Sequence, residues 1–431
     1  MIQPLRVRKI SLSLLLTGAL LDSAQALDLS LPPSGDAAGA YSTSSRTYSF
    51  PTGSEERHFS YRIPADLVDR DPGTVPVVLL LHGGIPSGAG DEQFMEDFLD
   101  GLDETKRPFG DFAYISIRAA AIKVARCLEL FDSARIDEEG RNACLANAAA
   151  NRHAWRFAGA SAATRPDPDL PEAYTIFEPE AYVDVLALEA VLRDFSDTFA
   201  SLDLTHVFVA TFSYGSHVAD QVVCSRSSMV RGVASITGSW LTRRQFGDDG
   251  AIGGPDGALE CGSGHEPGFF TLTGQNSDPY GRRSPEGLPS ETGELHSRIP
   301  MFRAIGLADH NLTEGLTATV AAAAMAQLNG VENRASSVKV LTDIDRSTDD
   351  GKAMTMAKYR RPAPGERRRT RASLEIGQCG LSSGRGQPAF DPHVVPGVDG
   401  LGCTHGVWGS DDNVGNDQNW PTLAVRFFSR L

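Results

Sequence analysis

The chain has 431 residues, of which 41% are hydrophobic and 22% are charged, so most of it is expected to form a globular protein with a large buried core. Its formal net charge is −15. Such a negative charge argues against nucleic acid or an anionic membrane as a partner, although it identifies no substrate.

The first 26 residues have the pattern of a secretory signal peptide. Three cations precede an apolar run from Ile10 to Leu21, and Ala24-Gln25-Ala26 would allow cleavage before Leu27. The alternative is a membrane anchor, but a run of about 12 residues is too short for a bilayer core of about 30 Å. We therefore expect a secreted or periplasmic protein without stable membrane insertion. Removing three cations and one acidic residue would leave a net charge of −17.

The cysteines are even in number, and in an exported chain this favours disulfides. Proximity in the sequence favours the pairs Cys127–Cys144, Cys224–Cys261 and Cys379–Cys403. Other pairings remain open. No C-x-x-C motif occurs, so neither a thiol redox role nor a zinc ribbon is predicted.

The N-terminal half shows strand patterns followed by one clear helix. Residues 45–50 and 57–63 alternate and predict an antiparallel hairpin. Continuous apolar runs over 75–81 and 112–117 predict strands buried on both faces. We interpret residues 119–175 as an irregular insertion over one face of the sheet. Apolar residues at steps of three and four predict an amphipathic helix over 179–200, with its apolar residues on one side.

The C-terminal half continues the alternation of strands and helices. The predicted elements are a strand over 206–210, a helix over 216–224, strands over 232–237, 300–306 and 337–341, and helices over 314–328 and 421–431. Two polar or Gly- and Pro-rich segments, 238–298 and 345–390, are interpreted as further insertions.

This order predicts an α/β fold, a doubly wound and mostly parallel sheet with loop-rich, disulfide-bonded insertions. We expect one catalytic domain over 27–431, with insertions at about 119–175, 238–298 and 345–390. All three insertions follow strands, at the edge of the sheet where ligands bind in open α/β folds.

The pentapeptide Thr211-Phe212-Ser213-Tyr214-Gly215 connects a predicted strand to a predicted helix. A serine in such a sharp turn exposes its Oγ, and the N–H of the next residue is free to bind an oxyanion. The usual motif is G-x-S-x-G, and here Thr211 replaces the first glycine. A side chain at this position requires that the residues facing Thr211 be small.

A nucleophilic serine needs a base, and the base needs a carboxylate. Asp309 follows the strand that ends at Gly306, and His405 lies in a glycine-rich segment before the last helix. The order Ser213, Asp309, His405 suits such a triad. Asp343 and His393 are the alternatives for the acid and the base.

An oxyanion hole needs two N–H donors directed at one point. Tyr214 would supply the first donor from the residue after the serine. The segment His82-Gly83-Gly84 follows the first buried strand, and we favour the N–H of Gly84 as the second donor, with that of Ile85 as the alternative.

Four blocks resemble the secreted esterases that include polyhydroxybutyrate depolymerases and feruloyl esterases, within the α/β-hydrolase superfamily. Each block resembles one functional segment of that family. The matches are of Leu81 to Gly84 with the oxyanion segment, of Val207 to Ala219 with the nucleophile turn, of Gly306 to Asp309 with the acid loop, and of Gly402 to Trp408 with the histidine loop. The resemblance covers about half of the chain. Thr211 and His217 depart from the family pattern.

The resemblance implies a secreted serine esterase that acts through an acyl-enzyme and needs no metal or organic cofactor. Its substrate would be a small-molecule or polymeric ester, such as a polyhydroxyalkanoate, feruloyl or short-chain ester. Two alternatives remain open, a peptidase or amidase with the same triad and a catalytically silent relative that only binds.

Overall fold

The fold is built on one large mixed sheet. The computed structural model describes residues 41–50, 53–83, 90–102, 111–132, 138–155, 178–213, 215–216, 218–219, 222, 230–236, 299–306, 335–341, 352–360, 374–381 and 420–431. These residues form a ten-stranded sheet and a separate two-stranded ladder.

The elements of the N-terminal half confirm the predicted hairpin, the two buried strands and the long helix. They are β1 (Ser42–Phe50), β2 (Gly53–Arg62), α1 (Ala65–Val68), β3 (Val75–Leu81), α2 (Gly90–Asp100), β4 (Ala113–Ile117), β5 (Ala120–Ala121), α3 (Val124–Asp132), α4 (Glu138–Ala149), β6 (His153–Ala154) and α5 (Glu178–Thr198).

The second half adds six strands of the sheet and a last helix. They are β7 (Leu202–Phe212), β8 (Val230–Ile236), β9 (Met301–Gly306), β10 (Ser337–Leu341), β11 (Lys352–Tyr359), β12 (Leu374–Leu381) and the C-terminal helix (Trp420–Phe428). Residues 215–216, 218–219 and 222 are helical as well. The predicted helix over 314–328 lies outside the described residues.

The centre of the sheet is parallel and its two edges are antiparallel. The strand order is β1-β2-β4-β3-β7-β8-β9-β12-β11-β10. The six neighbours from β4 to β12 run parallel, whereas β1, β2, β11 and β10 pair in antiparallel fashion. The carboxyl ends of β3, β7, β8 and β9 therefore meet at one edge. Such an edge is the usual ligand side of an α/β sheet.

Helices cover both faces of the sheet, as a doubly wound fold requires. On one face, the C-terminal helix stacks Phe428 on Phe208 of β7 with ring centroids 4.8 Å apart. Its Trp420 packs on Phe98 of α2 at 5.1 Å. On the other face, Phe195 of α5 packs edge-on against Tyr61 of β2.

The helix α5 is buried on all sides along residues 184–192, not on one side as the amphipathic pattern predicted. Its two buried carboxylates are neutralised by cations. Asp184 forms a fully buried ion pair with Arg57 of β2, and Glu189 pairs with Arg193 at 3.3 Å. Because burial of an unpaired charge is strongly unfavourable, these arginines allow the polar side of the helix to be covered.

The segment interpreted as an irregular insertion, 119–175, contains regular structure in its described part. Helices α3 and α4 form a hairpin whose base is closed by the antiparallel ladder of β5 and β6. The predicted disulfide Cys127–Cys144 is confirmed, with a Cα–Cα distance of 5.6 Å. The alanine-rich, polar sequence of α4 hid its helix from the pattern analysis, since only Gly140 among its residues is buried. The other two predicted disulfides lie outside the described side chains.

The prediction of a polar insertion over 345–390 was wrong for its described part. This segment supplies β11 and β12, and β12 pairs in parallel with β9 inside the sheet. Two polar residues of β12 are buried: Glu375 and Gln378 are each only 1% exposed.

Three cations surround the buried carboxylate of Glu375. Lys358 and Arg360 each donate to its Oε1 at 2.9 Å, and Arg430 donates to Oε2 at 3.0 Å. Burial alone would raise the pKa of Glu375, but the hydrogen bond from Lys358 and the charges of Arg430 and Lys358 lower it on balance. This cluster joins the C-terminal helix to β11 and β12.

We expect Glu375→Gln to lower the free energy of unfolding by about 2–4 kcal/mol, because it leaves three cations without their shared anion. Arg360→Gln should cost at most about 1 kcal/mol, since Arg360 is half exposed and the carboxylate keeps two partners. Urea unfolding at neutral pH measures both changes. Equal losses in the two variants would contradict this account of the cluster.

None of the helices in the described part of the chain is long and apolar enough to span a membrane. The predicted signal peptide, residues 1–26, and the whole segment 238–298 lie outside that part.

Candidate active site

Ser213 occupies a strained turn at the carboxyl end of β7. Its φ is +50°, a left-handed value that side chains other than glycine rarely adopt. Its N–H donates to the carbonyl of Ile236 on the neighbouring strand, and its own carbonyl accepts from the N–H of Ser216, both at 3.0 Å. Gly215 and Ser216 are already helical. Backbone strain of this kind is retained where the surroundings hold the residue firmly, often at functional sites.

Two glycines let the strand end at His82 pack against this turn. A Cβ on Gly83 would lie 2.6 Å from Cβ of Ser213, and a Cβ on Gly215 would lie 2.8 Å from the carbonyl oxygen of His82. The Cβ of a real side chain does not come this close to another heavy atom, so both positions require glycine unless the neighbouring atoms move. The turn and the His82-Gly83 segment are therefore in direct contact, at the edge where the sequence predicted an oxyanion hole.

Thr211 is fully buried and faces small residues, as its place in the motif required. Its Oγ1 lies 2.9 Å from Oγ of Ser216, which in turn lies 2.5 Å from Oγ of Ser235. The β-branched side chain sits in a strand, where it is favoured, and the space beside it is filled by hydroxyls.

His82 is a buried support of the segment that follows β3. The N–H of Ala119 donates to its Nε2 at 3.0 Å, so the ring proton resides on Nδ1 and is shared with the carbonyl of Gly83 at 3.1 Å. The indole N–H of Trp155 donates to the His82 carbonyl at 2.7 Å, and the two rings lie 5.0 Å apart. Both ring nitrogens and the carbonyl of His82 thus help to hold the backbone in place.

The short segment Arg118-Ala119, after β4, fixes both described ends of the loop between Gly83 and α2. Ala119 contacts His82, as described above. Arg118 donates to Asp91 in the first turn of α2 at 2.5 Å and to Glu92 at 3.0 Å. Asp91 also accepts from Ser60 of β2 at 3.0 Å. The two described ends are therefore held by the same segment after β4.

Burial lowers the pKa of His82 from 6.5 to about 4, in spite of opposing contributions from the Gly83 hydrogen bond and Asp91. The neutral ring therefore stabilises the fold fully above pH 6.5. As the pH falls from 6.5 towards 4, the unfolded chain binds a proton that the folded chain does not. We expect the free energy of unfolding to fall by roughly 3 kcal/mol across this range from His82 alone.

Urea unfolding of the wild type and of His82→Gln at about pH 7 and about pH 4 tests this expectation. The variant should be less stable at neutral pH but should lose roughly 3 kcal/mol less than the wild type on acidification. The comparison removes other acid effects, including that of His153, whose pKa burial also lowers to about 4. An equal loss in both proteins would contradict the assignment.

Most of the other predicted site residues lie outside the described residues. They are Gly84, Tyr214, Asp309, His405, the alternatives Asp343 and His393, and His217. The strand that precedes Asp309, β9, is described to Gly306 and runs parallel to β8. Its carboxyl end therefore faces the same edge of the sheet as Ser213. The structure brings together Ser213 and the His82-Gly83 end of the predicted oxyanion segment.

Three supporting residues were not recognised as such from the sequence. Trp155 is 2% exposed, and its indole N–H donates to the carbonyl of His82. Ser216 and Ser235 carried no motif signal, although Ser216 lies five residues from Thr211. No group of three or more metal-ligating side chains occurs among the residues that the structure describes.

A left-handed serine between a buried parallel strand and a helix, at the carboxyl edge of a doubly wound sheet, has the geometry of the nucleophile turn in α/β hydrolases. The described strands and this turn thus give the chain a fold of the α/β-hydrolase type.

Comparison with solved structures finds similar chains among esterases and other hydrolases. An acetyl xylan esterase from Aspergillus awamori is 10% identical over 82% of this chain and 95% of that chain, with a TM-score of 0.35. An S-formylglutathione hydrolase from Agrobacterium tumefaciens is 15% identical over 68% and 84%, also with a TM-score of 0.35. A fluorophosphonate-binding serine hydrolase of Staphylococcus aureus is 13% identical over 63% and 81%, with a TM-score of 0.30.

The match spans 46% of a thermostable esterase and 60% of a ferulic acid esterase. At such identities and TM-scores, the likeness does not assign an activity. No family model matches the chain, and no curated protein matches it.

Proposed function

We propose that this protein is an exported serine hydrolase that cleaves carboxylic esters through an acyl-enzyme. The observation that carries the proposal is the left-handed Ser213 at the carboxyl end of β7, with Gly83 packed against its Cβ. In α/β hydrolases, a serine in such a turn exposes its hydroxyl for attack, and backbone N–H groups beside it bind the oxyanion that forms, which supports the proposal.

In this proposal, Oγ of Ser213 attacks the ester carbonyl while His405 takes its proton. The tetrahedral oxyanion is bound by the N–H groups of Tyr214 and Gly84, and His405 then protonates the departing alkoxide. Water hydrolyses the acyl-enzyme by the same route, and Asp309 orients His405 throughout. The roles of Asp309, His405, Gly84 and Tyr214 rest on sequence order and family resemblance. The predicted signal peptide supports export.

The backbone that precedes the proposed oxyanion donor Gly84 is held by hydrogen bonds. The neutral His82 ring, Trp155 and Ala119 hold the backbone at the end of β3 through three hydrogen bonds. Donors that are fixed before the substrate binds are the ones that stabilise a transition state effectively, since they need no reorganisation.

A polymeric, feruloyl or short-chain ester is the proposed substrate.

Hydrolysis of p-nitrophenyl acyl esters by the purified protein tests the proposal, with labelling by a fluorophosphonate as a second readout. We expect turnover and labelling in the wild type and neither in Ser213→Ala. Equal rates in both proteins would refute Ser213 as the nucleophile. Absence of both signals in the wild type would favour a protein that binds without catalysis, and cleavage of peptide substrates instead of esters would favour a peptidase.

A further inference from the structure

A chain of three buried hydroxyls lies beneath the Ser213 turn. Thr211 and Ser216 are 0% exposed and Ser235 is 1% exposed. The oxygens of Thr211 and Ser216 are 2.9 Å apart, and those of Ser216 and Ser235 are 2.5 Å apart. The central hydroxyl, that of Ser216, therefore contacts both of the others.

These hydroxyls belong to three different elements that meet at the turn. Thr211 lies in β7 and is paired in register with Ser235 of β8. Ser216 lies in the first described turn of the following helix. The chain thus links the residue two before Ser213, the residue three after it and the neighbouring strand.

The backbone of Ser213 also forms hydrogen bonds with β8 and with the following helix. Its N–H donates to the carbonyl of Ile236, which follows Ser235, and its carbonyl accepts from the N–H of Ser216. A left-handed residue other than glycine persists only where the surrounding structure holds it. Side-chain and backbone contacts here converge on residues 216, 235 and 236.

We propose that Thr211, Ser216 and Ser235 are positioning residues that hold the Ser213 turn in its left-handed conformation through their linked hydroxyls. The inference rests on the proposed function, because a fixed turn places Oγ of Ser213 for attack. It gives Thr211 a role where the usual motif has glycine. A glycine permits close approach by having no side chain, whereas Thr211 fills the same space with a group that bonds to the helix.

Thr211→Val and Thr211→Ser form a matched pair for the test. The first keeps the shape of the side chain and removes the hydroxyl, and the second keeps the hydroxyl and removes a methyl group. We expect Thr211→Val to lower kcat for a p-nitrophenyl ester by about 10- to 100-fold with little change in KM, because small displacements of reacting groups have effects of this size. Thr211→Ser should restore kcat to within about threefold of the wild type.

Thr422→Val is the control for a loss of stability alone. Thr422 is 5% exposed and donates to the carbonyl of Gly101 at 3.1 Å, in the C-terminal helix. This variant loses a buried hydroxyl by the same substitution, but its kcat should stay at the wild-type value. An equal loss of kcat in Thr422→Val and Thr211→Val would overturn the positioning role.

Amide hydrogen exchange at Ser213 provides a readout that does not depend on activity. We expect exchange about tenfold faster in Thr211→Val than in Thr211→Ser, since the turn opens more easily without the hydroxyl. Equal exchange in the pair would overturn the inference whether or not the protein is active. A wild type that neither hydrolyses esters nor reacts with a fluorophosphonate would instead refute the proposed function.

Discussion

Replacing Ser213 by alanine is expected to lower kcat for p-nitrophenyl esters by about 10⁴- to 10⁶-fold, the range typical of a lost nucleophile in a triad. The hydroxyl of Ser213 is the proposed attacking group, and the three hydroxyls described beneath the turn are not free to replace it. Those of Thr211, Ser216 and Ser235 are buried and bonded to one another.

Fluorophosphonate labelling should disappear together with turnover in this variant. The fold should survive, because alanine is tolerated where serine already adopts φ of +50° at some strain. Near-ultraviolet circular dichroism and urea unfolding check that point. Persistent labelling of Ser213→Ala would show that another residue is the nucleophile.

Replacing Gly215 by alanine is expected to lower kcat by about 100-fold or more and the free energy of unfolding by about 1–3 kcal/mol. Its Cβ would lie against the carbonyl oxygen of Leu81 and 2.8 Å from that of His82. Both obstacles are backbone atoms and cannot rotate away. The helix must therefore shift away from β3, and the Ser213 turn must move with it.

The sign of the stability change is informative. Helix propensity alone would make alanine more stable than glycine by about 1 kcal/mol, so a loss of stability would report the clash. Gly232→Ala is the matched control, because its Cβ would come closest to a terminal methyl group of Leu431, which can move, and would meet the Phe208 ring at ordinary contact distance, 3.4 Å or more. We expect little change in kcat there, and steady-state kinetics with urea unfolding measures both variants. Full activity in Gly215→Ala would contradict the packing described for the turn.

Strands with continuous apolar runs were predictable, because burial on both faces leaves a signal within seven or so residues. This holds for β3, β4, β7, β8 and β9. The sharp turn at Ser213 was predictable too, because a motif like G-x-S-x-G is typical of a sharp turn between a strand and a helix. The small neighbours required by Thr211 were found in Ser216 and Ser235.

Two errors of the sequence analysis, the missed strand β12 and the exposed side predicted for α5, share one physical cause. Glu375 in β12 and Asp184 in α5 look like surface residues in any local window. Each is buried because cations from distant parts of the chain neutralise it: Lys358 and Arg430 in the first case, Arg57 in the second. Pairing across more than a hundred residues, as between Arg57 and Asp184, leaves no periodic pattern. Polarity was therefore mistaken for exposure in both places.

The supports of the site were hidden for the same reason. Trp155 follows His82 by 73 residues and reaches it only because β5 and β6 close the base of the helical hairpin. No spacing rule links the two. The sequence pointed to the Ser213 turn and the His82-Gly83 segment, but not to the side chains that hold them.

The closed base of the helical hairpin also makes it a replaceable module. Ala120 pairs with Ala154, so the chain enters and leaves the hairpin at adjacent positions. Among the described residues, those that donate to His82, Ala119 and Trp155, lie at or outside this base, and so does Arg118, which holds Asp91. Helices α3 and α4, with their disulfide, lie beyond it. Protein engineering can therefore exchange residues 124–149 for another compact segment and keep the contacts that hold the proposed active site.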